Sequence, residues 1–211
     1  MIPNKKALEI ILSAVRGFEK PIPELEQYVT PSDIAAELLW TAFMDGNIEK
    51  KKVFDLGCGT GILTIGAALL GAKSVTGFDI DRTAFKNAFE LAEKNARILR
   101  ETNILAENIK FVEIDVKHVE EKCDTVVMNP PFGVQTEHAD RLFLEKAFGI
   151  ANVIYSIHKG GSDKFLLSFA KDKNWSAVKL GEFRFVIKKS MDFHEKAKYP
   201  VEVELWKFLK S

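Results

Sequence analysis

The sequence predicts an α/β fold organised around a largely parallel sheet. Three observations carry that expectation. Short apolar runs alternate with amphipathic stretches of helical period along most of the 211 residues, the pattern of repeated strand–helix units. One of these runs, KKVFDL at Lys51–Leu56, enters a glycine cluster (Gly57, Gly59, Gly61) that leads directly into the apolar stretch Ile62–Leu70. The last two apolar runs, Glu182–Ile187 and Val201–Phe208, have no helical pattern between them. They are therefore expected to pair as an antiparallel hairpin, because a parallel crossover needs an intervening segment, usually a helix.

In chain order, Ile2–Val15 and Ser32–Met44 read as helices ahead of the sheet. The second has a start signal: Thr30 as N-cap, Pro31 in the first turn and Asp33 near the positive helix end. Lys51–Leu56 is the first strand, and Gly71 stops the helix Ile62–Leu70. Ser74–Asp79 is the second strand, followed by a long helix over Arg82–Arg100 that sets Ala84, Ala88, Leu91 and Ala96 against charged positions. Ile109–Ile114 and Cys123–Met128 are the third and fourth strands, the latter ending at Asn129-Pro130-Pro131-Phe132. A helix over Asp140–Ile150, a fifth strand over Asn152–Ile157 and a helix over Asp163–Asp172 follow. The closing strands flank a charged loop, Lys188 to Tyr199. No repeat or linker interrupts the pattern, so residues 1–211 read as a single domain, with 1–48 a helical cap and 49–211 the sheet.

Composition narrows the class. A chain that is 46% hydrophobic, with 13 Gly and 7 Pro, is neither disordered nor fibrous. Its length suits one core, since domains commonly run to about 100–200 residues. A membrane span needs roughly 20 apolar residues; the longest apolar-rich run, Ile62 to Ala72, is shorter and contains Thr64, Gly66 and Gly71. The first nine residues lack the apolar stretch of a signal peptide. Cys58 and Cys123 are too few for a metal cage and need not pair, which favours a reducing cytoplasm and no metal site.

The chemistry is concentrated at the ends of strands. Asp55-Leu56-Gly57-Cys58-Gly59-Thr60-Gly61 spans a strand-to-helix turn, where glycines let a ligand approach without a Cβ in the way. A dinucleotide fingerprint needs G-x-G-x-x-G, and Ile62 occupies the position of its last glycine, so a nicotinamide oxidoreductase is disfavoured. The D-x-G-x-G-x-G spacing suits a cofactor without phosphates. Asp79, 24 residues after Asp55, stands at the end of the second strand, where an acid can accept bonds from a ribose diol. Asp115, after the third strand, is placed to face an adenine edge. Cys58 reads as a small buried filler, not a nucleophile. In the Asn-Pro-Pro-Phe tetrapeptide the prolines make a stiff projection. The Asn129 side-chain oxygen and a proline carbonyl are then acceptors that can grip both hydrogens of a planar exocyclic amine, while Phe132 offers a face for stacking the base.

These motifs resemble those of class I S-adenosylmethionine-dependent amino-methyltransferases. More closely, the chain resembles the archaeal and eukaryotic methyltransferase-like family that makes N6-methyladenosine in small-subunit ribosomal RNA. That likeness rests on Leu25–Pro31 (LEQYVTP), Gly77–Asp81 (GFDID), Met128–Gly133 (MNPPFG) and Tyr155–Lys159 (YSIHK). It implies a Rossmann-like class I methyltransferase fold: a seven-stranded, mostly parallel sheet with an antiparallel C-terminal hairpin and helices on both faces. It further implies that Gln27, Thr30, Gly57, Thr60, Ile62, Asp79, Asp115 and Val116 line the S-adenosylmethionine site and that Asn129, Pro130, Pro131 and Phe132 hold the target adenine. Many members have Cys where this chain has Thr60. Asp55, Gly59 and Gly61 complete the cofactor loop. The family also implies a small zinc-containing activator protein, for which the third strand, Ile109 to Ile114, an edge in this fold, is the expected docking place; from the sequence itself, pairing with a second copy of the chain is an equal reading of that edge.

Zero net charge, 30 basic against 30 acidic residues, gives no global sign of RNA binding. The charge is unevenly spread: residues 1–155 carry 18 Lys+Arg and 23 Asp+Glu, whereas 156–198 carry 10 and 5. Lys159, Lys188, Lys189, Lys196 and Lys198, interleaved with Phe193 and His194, suit phosphate neutralisation and base stacking. The expected activity is therefore RNA adenine-N6 methylation. Protein glutamine-N5 and RNA guanine-N2 methylation are the alternatives, and a non-catalytic nucleotide-binding module is a further one. The glutamine enzymes usually have Tyr at the place of Phe132 and a substantial N-terminal domain, and here only about 50 residues precede the first strand.

Overall fold

Strands that are apolar at successive positions must be covered on both faces, and two such strands form the middle of the sheet. The computed structural model describes residues 2–18, 21–22, 25–81, 108–132, 139–188 and 198–210. The elements are α1 (Lys5–Leu12), α2 (Ser32–Met44), β1 (Lys52–Leu56), α3 (Ile62–Leu69), β2 (Ser74–Asp79), β3 (Ile109–Glu113), β4 (Thr125–Met128), α4 (Ala139–Ile150), β5 (Val153–Lys159), α5 (Asp163–Asp172), β6 (Trp175–Lys188) and β7 (Lys198–Lys210). The sheet has seven strands in the order β3-β2-β1-β4-β5-β7-β6. β1 to β5 run parallel, while β7 is antiparallel to both β5 and β6.

Alternation along the strands feeds two cores. Val53, Val127 and Tyr155 join Leu8, Leu38 and Ile65 of α1, α2 and α3 on one face. Phe54, Val126 and Ile154 join Leu144 of α4, Leu166 of α5 and Trp206 and Phe208 of β7 on the other. This is the period-two consequence of the pleat, and it explains why helices cover both faces. All eight residues of α3 are buried. Gly66 lets α3 approach α2 so closely that a Cβ there would lie 2.3 Å from Leu39 Cδ1.

Three expectations need adjustment, and others fall outside the described residues. α1 is shorter than Ile2–Val15: the Asn4 side chain accepts the Ala7 N–H at 2.9 Å and starts it, and Ser13 ends it. The closing strands are longer than their apolar runs. β6 lies at a sheet edge and tolerates polar residues on its open side, so hydrophobicity understates its length, and a bulge at Lys179/Gly181 preserves its pairing. Thr30 is not the N-cap of α2. Pro31 holds that position at ψ 141° with no side-chain cap bond, because the Thr30 hydroxyl is engaged by a residue far along the chain. The helix expected over Arg82–Arg100, and Lys189, Phe193, His194 and Lys196 of the basic loop, lie outside the described residues. Lys188 and Lys198 are a register pair that closes the described part of the hairpin.

The order of the strands makes the site. The chain runs outward from β1 to β2 and β3, then returns across β1 to place β4 and β5 on its other side. The carboxyl ends of β1, β2, β3 and β4 therefore open onto one crevice at the reversal of strand order, the ligand position of open α/β sheets.

Candidate active site

β1 ends in the glycine loop, and the loop is shaped by what presses on it. Gly57 and Gly59 adopt φ of 69° and 50°, the left-handed region that favours glycine. A Cβ on Gly57 would meet the Phe143 ring at 2.9 Å, and one on Gly59 the Phe18 ring at 3.1 Å. Phe18 and Phe143, 125 residues apart in sequence, thus clasp the loop. The Gly59 N–H donates to Asp79 Oδ2 at 2.7 Å and the Asp81 N–H to Oδ1 at 2.9 Å. Burial raises the Asp79 carboxyl above its ordinary range, while those two N–H groups pull it down. The carboxylate, with about four acceptor sites, keeps capacity for a ligand hydroxyl.

Asp55 is fully buried at the end of β1. Its Oδ2 accepts the Thr64 hydroxyl at 2.7 Å, and its Oδ1 has no partner among the described residues. Desolvation first, opposed by the Thr64 bonds, and then repulsion from Asp79 push its carboxyl up to about 7. Cys58, beside it, is buried with its thiol pushed well up by burial and by Asp55 and Asp79, so it packs and does not attack. Asp115 differs from both. Lys117 pairs with it at 2.9 Å and holds its carboxyl below the usual range, and it caps the short turn Val116–His118.

The segment between α1 and α2 roofs the crevice. Gln27 accepts the Ile22 N–H through Oε1 at 2.8 Å and donates through Nε2 to Asp81 Oδ2 at 2.9 Å. Glu26 Oε2 accepts the Phe132 N–H at 2.7 Å. The Tyr28 and Phe132 rings lie 5.1 Å apart. Asn129 donates through Nδ2 to Thr30 Oγ1 at 2.8 Å, and its buried Oδ1 has no partner among the described residues.

Together these residues enclose a cavity of about 350 Å³, within the range of small-molecule sites. Gln27, Thr30, Asp55, Gly57, Gly59, Thr60, Ile62, Asp79, Asp115, Val116, Asn129 and Pro131 all line it. Gly61, Pro130 and Phe132 do not: Gly61 is the N-cap of α3, Pro130 is buried, and the Phe132 ring packs on Tyr28 and the α1–α3 core. Sequence reasoning missed Phe18, Leu25, Phe78, Ile80, Ile114, Leu142 and Phe143, which supply the apolar wall. The lining includes the acids Glu26, Asp55, Asp79 and Asp115, and none of the described residues lining it is Lys, Arg or His. Such a wall suits a cationic ligand with hydroxyls and an apolar ring, and it disfavours phosphate.

Of the basic stretch, Lys159 is exposed at the end of β5. His158, its neighbour, is buried with Nε2 unpartnered among the described residues, and desolvation lowers its imidazolium to about 3. It is a neutral core residue, not an RNA contact.

The Asp55 shift has a consequence for stability. The folded state retains a proton up to about pH 7 that the unfolded chain, with an ordinary value of 3.8, has already released. Stability is then greatest below about pH 4 as far as this group is concerned and is lost as pH rises towards 7, by up to about 4 kcal/mol. The melting temperature of the ligand-free protein is expected to fall between pH 5 and pH 8, and Asp55→Asn is expected to flatten that fall. A fall of the same size in the variant would mean that other groups cause it.

The family model described as ribosomal protein L11 methyltransferase (PrmA) matches residues 39–130. The chain is 36% identical to the rRNA N(6)-adenosine-methyltransferase METTL5 of Danio rerio, over 96% of this chain and 97% of that protein. It is 35% identical to the corresponding Drosophila melanogaster enzyme, over 96% and 95%. The crystal structure of a proposed RNA methyltransferase from Pyrococcus horikoshii superposes with a TM-score of 0.88 at 38% identity, covering 100% of this chain and 99% of that one.

Proposed function

Since the chain belongs to the rRNA N6-adenosine-methyltransferase METTL5 family, we propose that it transfers the methyl group of S-adenosylmethionine to N6 of an adenine in small-subunit ribosomal RNA. The observation that carries this reading is the acidic, phosphate-averse cavity with Asn129 in its wall, whose buried Oδ1 has no partner among the described residues. S-adenosylmethionine, when bound, supplies an electrophilic methyl on a cationic sulfur. Asp79 is assigned to its ribose diol, Asp115 and the apolar residues Phe78, Ile114 and Val116 to its adenine, and Asp55 to the positive charge.

The residues at the end of β4 hold the acceptor. Asn129 Oδ1 accepts one hydrogen of the adenine amine and the Pro130 carbonyl the other, with Pro131 and Phe132 completing the grip. Drawing both hydrogens to one side localises the nitrogen lone pair towards the methyl group, which is positional and electrostatic catalysis. The N6–C bond forms as the S–C bond breaks, and the amine then releases one proton to water. No side chain needs to act as a strong base. Phe132, backed by Tyr28, supplies an aromatic face for the extruded base, a contact worth roughly 1–3 kcal/mol.

Lys159, Lys188, Lys189, Phe193, His194, Lys196 and Lys198 are assigned to the RNA backbone and bases, on the strength of the basic excess over 156–198. β3 ends the sheet, hydrogen-bonded to β2 on one side, and is the proposed seat of a small zinc-containing activator by strand addition. Cys58 and Cys123 are buried free thiols, which accords with a cytoplasmic setting.

The test is labelled-methyl transfer onto purified small- and large-subunit ribosomal RNA, with and without the candidate activator, followed by nucleoside analysis. The expected product is N6-methyladenosine in the small-subunit RNA. N2-methylguanosine, or label in protein glutamine, would overturn the assignment. In the same assay, neutralising Lys188, Lys189, Lys196 and Lys198 is expected to flatten the dependence of RNA binding on salt. An unchanged slope would remove this loop from the RNA surface.

A further inference from the structure

The side-chain amide of Asn129 has nearly the same shape in its two flipped orientations, yet only one of them serves an amine. With Oδ1 towards the substrate it accepts a hydrogen; with Nδ2 there, donors would face donors. We propose that Thr30 is a positioning residue that anchors the Asn129 side chain in its place at the cavity wall, an inference that rests on the role given to Asn129 above.

Thr30 is 7% exposed, and its Oγ1 receives Asn129 Nδ2 at 2.8 Å across 99 residues of sequence. That bond anchors the donor end of the amide away from the acceptor end, which is left buried and unpartnered among the described residues. A flipped amide would keep a bond to Thr30, whose hydroxyl can also donate, but would turn N–H donors towards the amine in place of the acceptor. The hydroxyl is available for this because Pro31 takes the start of α2 without a side-chain cap. The other end of the tetrapeptide is held from the same segment, through Glu26 Oε2 and the Phe132 N–H at 2.7 Å. The stretch Glu26–Thr30 therefore grips Asn129–Phe132 at both ends, and Thr30 fixes where the amide sits.

The experiment compares Thr30→Val, which keeps the shape and removes the hydroxyl, with Thr30→Ser, which keeps it. Because Thr30 also lines the cofactor cavity, Thr30→Val is expected to lower kcat at least tenfold and by more than it raises the Kd for S-adenosylmethionine. Thr30→Ser is expected to recover most of the loss. In an Asn129→Ala background Thr30→Val should cost nothing further, because its target is gone. Additive losses in that double variant, or wild-type kcat in Thr30→Val, would overturn the proposal. A readout independent of turnover is the side-chain amide resonance of Asn129, identified as the signal missing from Asn129→Ala. Loss of the Thr30 hydroxyl should move it and hasten its hydrogen exchange, whereas an unmoved signal would refute the anchoring even if wild-type protein left ribosomal RNA unmethylated, the outcome that would instead refute the function.

Discussion

Asn129→Ala is expected to reduce methyl transfer by more than tenfold, and on the order of 10²-fold, the scale seen when one preorganised hydrogen-bonding group is removed from a charge-developing centre. Binding of S-adenosylmethionine should remain nearly intact. The separation follows from the sheet order. Asn129 follows β4, whereas Asp79 ends β2, with β1 between them; Asp79 is held by the Gly59 and Asp81 N–H groups, neither of which involves Asn129. Truncation leaves that carboxylate and the clasped glycine loop in place and deletes the acceptor that localises the amine lone pair. Titration calorimetry with S-adenosylmethionine and single-turnover methylation separate the two effects. Equal activity would sink the role given to the tetrapeptide; parallel loss of cofactor affinity would show that Asn129 supports the cofactor wall instead.

How much of this site was legible in the sequence depends on how local its chemistry is. The glycine loop, Asp79 and Asn-Pro-Pro-Phe announce themselves because each stands where an apolar strand stops, and parallel strands bring such ends to one edge. Sequence order alone therefore placed three of the walls. Phe18 and Phe143 were invisible: each is one phenylalanine among 16, and their clasp on Gly57 and Gly59 joins the N-terminal segment to α4. Thr30 misleads for the opposite reason. Thr-Pro before an amphipathic run has the local chemistry of a helix start, and a tertiary partner at Asn129 outcompeted it. The closing strands were understated because pairing with β7, not hydrophobicity, extends β6. His158 offers no sign of its burial, since a histidine between Ile157 and Lys159 suits an RNA contact as well as a structural place.

The second large effect is on stability, and two principles predict opposite signs for it. Gly77 lies inside β2, where glycine has poor strand propensity and no side chain to pack, so replacement by valine should help on propensity grounds by roughly 1 kcal/mol. Its φ lies outside the left-handed region, so no backbone strain opposes the change. Space does. A Cβ at Gly77 would lie 2.8 Å from Thr64 Oγ1, 2.9 Å from Cys58 Sγ and 2.9 Å from Phe111 Cδ1. These atoms belong to α3, the glycine loop and β3, and they cannot all retreat together. Moving Thr64 breaks its bond to Asp55, the buried acid at the root of the cavity; moving Cys58 shifts the loop whose next residue supports Asp79. Overpacking of this kind costs about 1–3 kcal/mol or more, and disturbance of a buried polar contact adds to it. Gly77→Val is therefore expected to lose roughly 3 kcal/mol, or about 10 °C in Tm for a chain of this size, and to weaken S-adenosylmethionine binding with it. Urea unfolding and calorimetry decide between the two principles: a variant as stable as wild type would show that propensity, not the close approach of three elements, governs this position.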